Sequence, residues 1–264
     1  MSEPLESMAR EMRRRIMTML HQAGSGHPGA SLSSVEIVTA LFFEVMRHDP
    51  ARARWDGRDR FFLSKGHAAP VLYAALALSG YFPPEELATL RRAGSRLQGH
   101  PSRRCPGVEV GTGSLGQGFS VAAGTAWGLT RQGSPARVFA LLGDGECSEG
   151  IVWEAALFAA HHALSNLTAI VDCNGYTNDG PLTEVMNMEP FADKWRAFGW
   201  DAEEIDGHDF PQILAALSPR SPSPRCIIAR TRKGKGVGYL EQDASFYSKA
   251  PTRDQLEAAL RDLA

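Results

Sequence analysis

The chain alternates short apolar runs with longer amphipathic or alanine-rich segments, and this alternation predicts strands and helices in turn. The runs at residues 137–142 and 167–173 are typical of strands buried on both faces of a parallel sheet. Further strands are predicted at residues 60–64, 200–205 and 225–229. Helices are predicted at residues 5–22, 35–46, 69–79, 119–130, 151–164, 187–198, 210–217 and 252–263.

Residues 137–174 form one predicted strand–helix–strand unit, and the remaining elements are arranged around it. Such units build α/β domains in which helices flank a parallel sheet. We therefore predict a single α/β domain over residues 1–264, a length that can bury a large core. In open sheets of this kind, ligands bind beyond the carboxyl ends of the strands. Ser33 or Ser34 is expected to cap the helix at residues 35–46.

Composition narrows the classes of function without selecting one. Hydrophobic residues make up 43% and charged residues 22% of the chain, which is ordinary for a globular protein. The net charge of −2 gives no reason to expect nucleic acid or an anionic membrane as a partner. The four cysteines are far apart and form no CxxC pair, which fits a reducing cytoplasm. We expect neither a signal sequence nor a membrane-spanning segment.

Two polar residues follow the two buried runs and are expected at the same edge of the sheet. Asp144 offers a carboxylate and Asn174 an amide oxygen, which suit Mg²⁺, with Ca²⁺ or Mn²⁺ as alternatives. Gly143 and Gly145 leave room for a phosphate-bearing ligand to approach the backbone. For Gly-Asp-Gly alone, the alternative is a tight strand-to-helix turn with a capping aspartate and no ligand.

The spacing of these residues resembles a cofactor motif. Gly-Asp-Gly at residues 143–145, then 28 residues, then Asn174 is similar to the thiamine diphosphate-binding motif. Gly-Asp-Gly-Glu-Cys-Ser-Glu-Gly at residues 143–150 and Asp-Cys-Asn-Gly at residues 172–175 resemble transketolase in particular. The resemblance implies the diphosphate-binding fold of thiamine enzymes, with Asp144 and Gly145 at the cofactor. It also implies that Asp144, Asn174 and the backbone carbonyl of Tyr176 are the metal ligands.

Three histidines lie beside glycine or proline in sequences that resemble the active-site loops of the same family. His27 lies in Ser-Gly-His-Pro-Gly, His67 in Lys-Gly-His-Ala and His100 in Gln-Gly-His-Pro. The resemblance implies that all three meet the substrate and that His67 also meets the cofactor. We expect them to hydrogen-bond the sugar hydroxyls and to move protons.

A glycine-rich stretch at residues 111–118 allows two interpretations. Its G-x-G-x-x-G spacing is that of a dinucleotide site, which needs a good strand immediately before it and an acidic residue after a second strand. Residues 103–108 are a poor strand, and the next strand ends in Gly-Asp-Gly, so NAD is disfavoured. The stretch resembles instead the transketolase loop that contacts the cofactor, here through Gly113, Ser114 and Leu115.

Two further cofactor contacts are implied near the end of the chain. Lys233, within Lys-Gly-Lys-Gly, follows the last strand and is placed by the resemblance near the cofactor diphosphate; a flexible surface turn is the alternative. The resemblance places Tyr247 where related transketolases carry a histidine that reaches diphosphate and substrate; a surface aromatic in a loosely aligned stretch is the alternative. Because phenol titrates near pH 10 and imidazole near about pH 6.5, this departure predicts a poor proton shuttle and an altered donor or acceptor.

The resemblance ends where the first of three transketolase domains would end, which implies a split, two-chain enzyme. In the family, a glutamate on the pyrimidine-binding domain promotes formation of the reactive cofactor carbanion. We therefore expect an N-terminal subunit that transfers a two-carbon ketol unit only with a C-terminal partner chain, as a heterotetramer of two copies of each. The alternatives are an oxo-acid dehydrogenase component, a deoxyxylulose phosphate synthase fragment and a non-catalytic regulatory subunit.

Overall fold

The computed structural model describes residues 2–218, 222–242 and 248–264. Five parallel strands form one sheet in the order β1-β2-β3-β5-β4. The strands are β1 (Arg60–Leu63), β2 (Val138–Gly143), β3 (Leu167–Cys173), β4 (Asp201–Asp206) and β5 (Arg225–Arg230). The predicted fold class, a parallel sheet flanked by helices, is therefore confirmed.

Helices cover both faces of the sheet. In chain order they are α1 (Ser2–Ala23), α2 (Pro28–Leu32), α3 (Val35–Ala40), α4 (Ala69–Leu78), α5 (Gln117–Arg131), α6 (Gly150–His161), α7 (Leu182–Val185), α8 (Phe191–Ala197), α9 (Phe210–Ala216), α10 (Gly238–Gln242) and α11 (Arg253–Asp262). No helix in the described parts of the chain combines the length and apolar character needed to cross a membrane.

Alternate residues of each central strand serve two separate apolar layers. Phe139 and Leu141 of β2 pack into the layer that contains α1, α3 and α4, whereas Ala140 and Leu142 pack into the layer that contains α5, α6 and α8. This two-residue period follows from the pleat of a strand. Because both layers are apolar, β2 is buried along its whole length, as its uncharged sequence predicts.

The predicted elements need correction at several places. The helix predicted at residues 151–164 already ends at His161, and Ala163 has a left-handed φ of 46°. The helix predicted at residues 187–198 begins only at Phe191, because Pro190 lacks an amide hydrogen and disfavours helical geometry in the residue before it. The helix predicted at 35–46 is α-helical to Ala40 and continues as a wider π-helical turn, Leu41–Val45. Helix α2 was missed within a stretch that we interpreted as a loop, although Pro28 is well suited to a first helical position.

The fold brings the ends of four strands to one edge. β1, β2, β3 and β5 are neighbours and parallel, so the residues that follow their carboxyl ends share one side of the sheet. Long stretches of chain separate these segments, yet the order of the strands places them together. The candidate site is built at this edge, where ligands of open α/β sheets bind.

Candidate functional site

A cleft of about 350 Å³ lies beyond the carboxyl ends of β2 and β3. Its walls include seven of the residues that the sequence identified, from five separate segments of the chain. These are His67, Leu115, Asp144, Gly145, Asn174, Tyr176 and Lys233. Gly113 and Ser114 lie immediately before Leu115 and are exposed. The cleft thus unites the predicted metal ligands with the predicted cofactor contacts.

A buried carboxylate, that of Asp172, holds the floor of this cleft together. Its Oδ2 accepts hydrogen bonds from Ser33 Oγ at 2.6 Å, from Lys65 Nζ and from Asn174 Nδ2 at 3.1 Å. Its Oδ1 accepts from the hydroxyl of Thr231. Burial alone would raise the pKa of Asp172, but Lys65 and the other donors hold the pKa below its usual value. The carboxylate is therefore charged and joins the ends of β1, β3 and β5 to the start of α3.

Asp144 and Asn174 face the cleft with oxygen atoms. Asp144 is 2% exposed, and its carboxylate accepts from the backbone amides of Gly145 at 2.8 Å and Gly175 at 2.6 Å. The side-chain amide of Asn174 donates a hydrogen bond to Asp172, which fixes the amide oxygen on the opposite side. There the oxygen accepts a hydrogen bond from the Tyr176 backbone amide at 3.1 Å. Burial and then the charge of Asp172 raise the pKa of Asp144 to about 6. A cation at these oxygens would relieve the repulsion between the carboxylates, so the donor set fits Mg²⁺.

Glu146 forms a second link, between the glycine-rich loop and the end of β2. Its Oε1 accepts from Ser64 Oγ at 2.5 Å and from the Gly116 amide at 2.8 Å, while Oε2 accepts from the Gly143 amide at 3.0 Å. Gly116 needs its left-handed φ of 80° and its missing side chain, since a Cβ would lie 2.4 Å from Ile151. Glu146 therefore fixes the loop that carries Leu115 against the Gly-Asp-Gly turn.

The three histidines gather beside the cleft. The rings of His27 and His67 lie 5.4 Å apart between centroids in an edge-on arrangement. His100 lies against Gly113, where an added Cβ would be 3.3 Å from its ring. Burial, followed by the charge of Arg91, lowers the pKa of His27 to about 4. Burial, followed by the charge of Lys65, lowers the pKa of His67 to about 3.

Lys233 lines the cleft and is only 7% exposed. Its stem runs beside Gly29, where a Cβ would lie 2.8 Å from the lysine Cγ. Its ammonium lies 5.2 Å from the centroid of the Tyr176 ring, within cation–π range. The alternative of a flexible surface turn is therefore wrong for Lys233. Tyr247 lies outside the described residues.

Comparison with known proteins identifies the family. Residues 5–261 match the family described as transketolase, thiamine diphosphate binding domain. The chain belongs to the transketolase family. It is 42% identical to the 6-deoxy-6-sulfo-D-fructose transketolase subunit SqwG of a Clostridium species, over 98% of this chain and 96% of that protein. It is 38% identical to an apulose-4-phosphate transketolase subunit of Phocaeicola vulgatus, over 99% of this chain and 94% of that protein.

Solved transketolases share the fold. The transketolase of Campylobacter jejuni superimposes with a TM-score of 0.93 at 33% identity, over 98% of this chain. This chain spans 42% of the length of that solved chain. The recognition of a transketolase subunit with a thiamine diphosphate-binding domain is thus confirmed. The dinucleotide alternative also fails on geometry, since residues 64–137, all of them described, contain no strand to precede the glycine-rich loop.

Sequence reasoning missed the residues that support this transketolase site. Ser33 was expected to cap a helix, but its hydroxyl donates to Asp172 instead, and Ser34 at the cap position donates to Ala30. A signal for Asp172 was present, because it is a charged residue within an otherwise apolar strand. In the sequence, Lys65 is notable only as part of a histidine motif, and its pairing with Asp172, 107 positions away, has no local sequence signature.

Replacing Asp172 with asparagine should destabilise the chain strongly. The substitution keeps the shape of the side chain but leaves the Lys65 ammonium buried without its carboxylate. Breaking such a pair from one side costs about 3–5 kcal/mol. The matched control is Asp201→Asn, because Asp201 faces Arg225 at 3.4 Å and is 46% exposed. For this control the free energy of unfolding should change by less than about 1 kcal/mol. Equal losses for the two variants in urea unfolding would contradict the importance of the buried pair.

His27 and His67 should remain neutral from pH 5 to 8, because their pKa values lie near 4 and 3. The unfolded chain binds protons near about pH 6.5 and the folded chain does not. The free energy of unfolding is therefore unaffected by these two histidines above that pH, and it declines as the pH falls toward their folded pKa values. Histidine ring NMR, assigned with His27→Gln and His67→Gln variants, measures this directly. An imidazolium signal from His67 at pH 6 would refute the neutral state.

Proposed function

We propose that the chain is the thiamine diphosphate-binding subunit of a two-chain transketolase. The enzyme transfers a two-carbon ketol unit from a ketose donor to an aldehyde acceptor. The observation that carries the proposal is the convergence, in one cleft, of Asp144, Asn174 and Lys233 with His67. These are two hard oxygen ligands, a buried ammonium and a neutral imidazole, and a diphosphate cofactor with a polar substrate needs all of them.

The proposed cation is Mg²⁺, or Ca²⁺ or Mn²⁺ in its place. Asp144, the Asn174 amide oxygen and the Tyr176 carbonyl would hold it. The described residues contain no cluster of three or more His, Cys, Asp or Glu side chains that could hold a metal. Mg²⁺ commonly takes only one or two carboxylates and completes its shell with substrate phosphates and water, so this sparse donor set supports joint binding with a diphosphate. Lys233 would neutralise a further part of the diphosphate charge.

When bound, thiamine diphosphate would supply the carbon nucleophile that the ketose carbonyl requires. The residues of this chain orient the sugar and move protons. His27, His67 and His100 are neutral at pH 7, because burial lowers the pKa of each, so each ring can donate one hydrogen bond and accept another. A neutral imidazole stabilises a developing alkoxide by donation and can accept a hydroxyl proton in the reverse direction. The lowered pKa values of His27 and His67 support this role, because protonated rings would lose the acceptor nitrogen.

Apolar side chains beside the cleft support a partner chain. Met186 is 54% exposed and Val185 44% exposed, and both line the open side of the cleft. A second exposed apolar group lies on α5 and α6 and consists of Val121, Trp127, Leu157 and Phe158. Contiguous exposed apolar surface marks protein interfaces. We propose that a pyrimidine-binding chain covers the cleft and that two copies of each chain assemble.

The substrates are proposed to be sugars that carry an anionic group. The two near-full-length relatives are named for a sulfonated sugar and for a sugar phosphate. In this chain, the positive charge of Arg91 lies near enough to lower the pKa of His27 and of His100 beside the cleft. A positive charge at this place supports a substrate that carries an anionic group. We propose that Tyr247 takes the place of the family histidine, where it would favour a donor or acceptor other than the usual phosphosugar pair.

Removing the Asp144 carboxylate should abolish Mg²⁺-dependent binding of thiamine diphosphate to the two-chain complex. Loss of a residue that merely supports a metal ligand costs about 10–100-fold in affinity, so loss of a ligand should exceed about 100-fold. Titration calorimetry of Asp144→Ala measures the change. Asp179→Ala is the control, since Asp179 lines the same cleft but is not a proposed ligand. Equal cofactor affinity for Asp144→Ala and wild type would rule out the metal assignment.

Activity should require the partner chain. The purified chain with Mg²⁺ and thiamine diphosphate is expected to transfer no ketol unit, whereas the mixture with a pyrimidine-binding chain should turn over. The reason is that the proposed site is completed by groups that the partner supplies. A coupled assay of aldose and ketose products, run with each chain alone and with both, provides the test. Turnover of ~1 s⁻¹ or more, within the ordinary range for enzymes, by this chain alone would overturn the proposal.

A further inference from the structure

A buried ion pair lies beside residues 232–235, which we call the Lys233 segment. Arg13 on α1 contacts both carboxylate oxygens of Glu36 on α3 through Nη2, at 2.7 and 2.8 Å. The side chains are only 7% and 9% exposed. Burial would raise the pKa of Glu36, but His208 and Arg13 hold the pKa below its usual value. The carboxylate is therefore charged and fixed between two helices.

His208 extends this pair toward the last strand. Its Nδ1 lies 3.1 Å from Glu36 Oε2, and its Nε2 accepts a hydrogen bond from the Arg232 backbone amide at 2.8 Å. Because Nε2 is the acceptor, the neutral ring carries its proton on Nδ1 and donates it to the carboxylate. His208 thus connects Glu36 to Arg232, the residue immediately before Lys233, although 172 positions separate His208 from Glu36.

The same network also holds the other end of the Lys233 segment. Arg13 Nε donates to the carbonyl of Lys235 at 2.8 Å. The segment between these two anchors contains Gly234, whose φ is 76°, and Gly236 follows it with a φ of 89°. Such glycines leave a free chain many conformations, and each rotatable bond that must be ordered during binding reduces affinity. Hydrogen bonds at both ends remove much of this freedom before any ligand arrives.

We propose that Arg13, Glu36 and His208 are positioning residues that hold Lys233 in place for the cofactor diphosphate. The inference rests on the proposed function, in which Lys233 meets the diphosphate. The stem of Lys233 passes so close to Gly29 that it has little room to adjust. A small displacement of the Lys233 backbone would therefore withdraw the ammonium from the cleft. The network fixes that backbone without touching the cofactor itself. Supporting groups of this kind set how well a charged side chain is pre-organised for its ligand.

A double-mutant cycle on the reconstituted two-chain enzyme tests this inference. The variants are His208→Ala, Lys233→Met and the two combined, and the readout is the dissociation constant of thiamine diphosphate with saturating Mg²⁺ by calorimetry. His208→Ala should weaken binding about tenfold, the lower end for loss of a supporting residue. The same change in the Lys233→Met background should have almost no further effect, because the two residues act through one interaction.

His48→Ala is the matched control. His48 also uses both ring nitrogens, with the Tyr81 hydroxyl at 3.1 Å and the Phe42 carbonyl at 2.7 Å, and both of these partners lie outside the Lys233 segment. The His48→Ala variant should lower the unfolding temperature as much as His208→Ala does, while leaving the affinity for thiamine diphosphate unchanged. His208→Gln, whose amide can both donate to Glu36 and accept from Arg232, should recover part of the lost affinity.

The outcomes separate this inference from the function on which it rests. Unchanged cofactor affinity in His208→Ala, with a clear loss in Lys233→Met, overturns the positioning role and leaves the site intact. Additive losses in the double variant overturn it as well, since His208 would then act independently of Lys233. Unchanged affinity in Lys233→Met would instead refute the proposed place of Lys233 at the diphosphate. Non-additive losses, with an inert His48→Ala, support the inference.

Discussion

The buried carboxylate of Asp172 is the constraint on which the rest of the site depends. A charge in the apolar centre of a sheet is tolerated only when it is paired and fully hydrogen-bonded. Its donors come from the start of α3, from the segment after β1, from the loop after β3 and from the residue after β5. Satisfying one carboxylate thus requires four distant segments to meet at one edge. Their meeting orients Asn174 and sets the floor of the cleft.

The electrostatics of the cleft follow from this arrangement. Burial together with Asp172 raises the pKa of Asp144, and burial together with Lys65 lowers the pKa of His67. Burial is the largest cause of both shifts; Asp172 adds to it at Asp144, and Lys65 adds to it at His67. A cation supplied from outside would restore the charge of Asp144 at neutral and mildly acidic pH.

Features that reside in local sequence were predicted, and features created by long-range pairing were not. All five strands were predicted within about one residue of their bounds. For β2 and β3 the signal was an apolar run, since strands buried on both faces need uncharged side chains. The edge strand β4 carries four acidic residues and mixes exposed with buried positions. The cofactor motif located Asp144 and Asn174 because glycines and hard ligands at strand ends have a fixed spacing. The predicted start of α8 was too early, because Pro190, which lacks an amide hydrogen and restricts the residue before it, precedes the first helical residue, Phe191. The Asp172–Lys65 and Glu36–His208 contacts join residues 107 and 172 positions apart, so no local pattern could reveal them.

The central claim is that the diphosphate and its cation bind at the carboxyl ends of β2 and β3, on oxygens that Asp172 helps to orient. A crystal structure of the two-chain complex with Mg²⁺ and thiamine diphosphate tests this claim most directly. We expect Mg²⁺ at about 2.0–2.1 Å from oxygens of Asp144 and Asn174. The Lys233 ammonium should lie within hydrogen-bond distance of the diphosphate. A cofactor bound elsewhere, or a cation without contact to Asp144, would contradict the account.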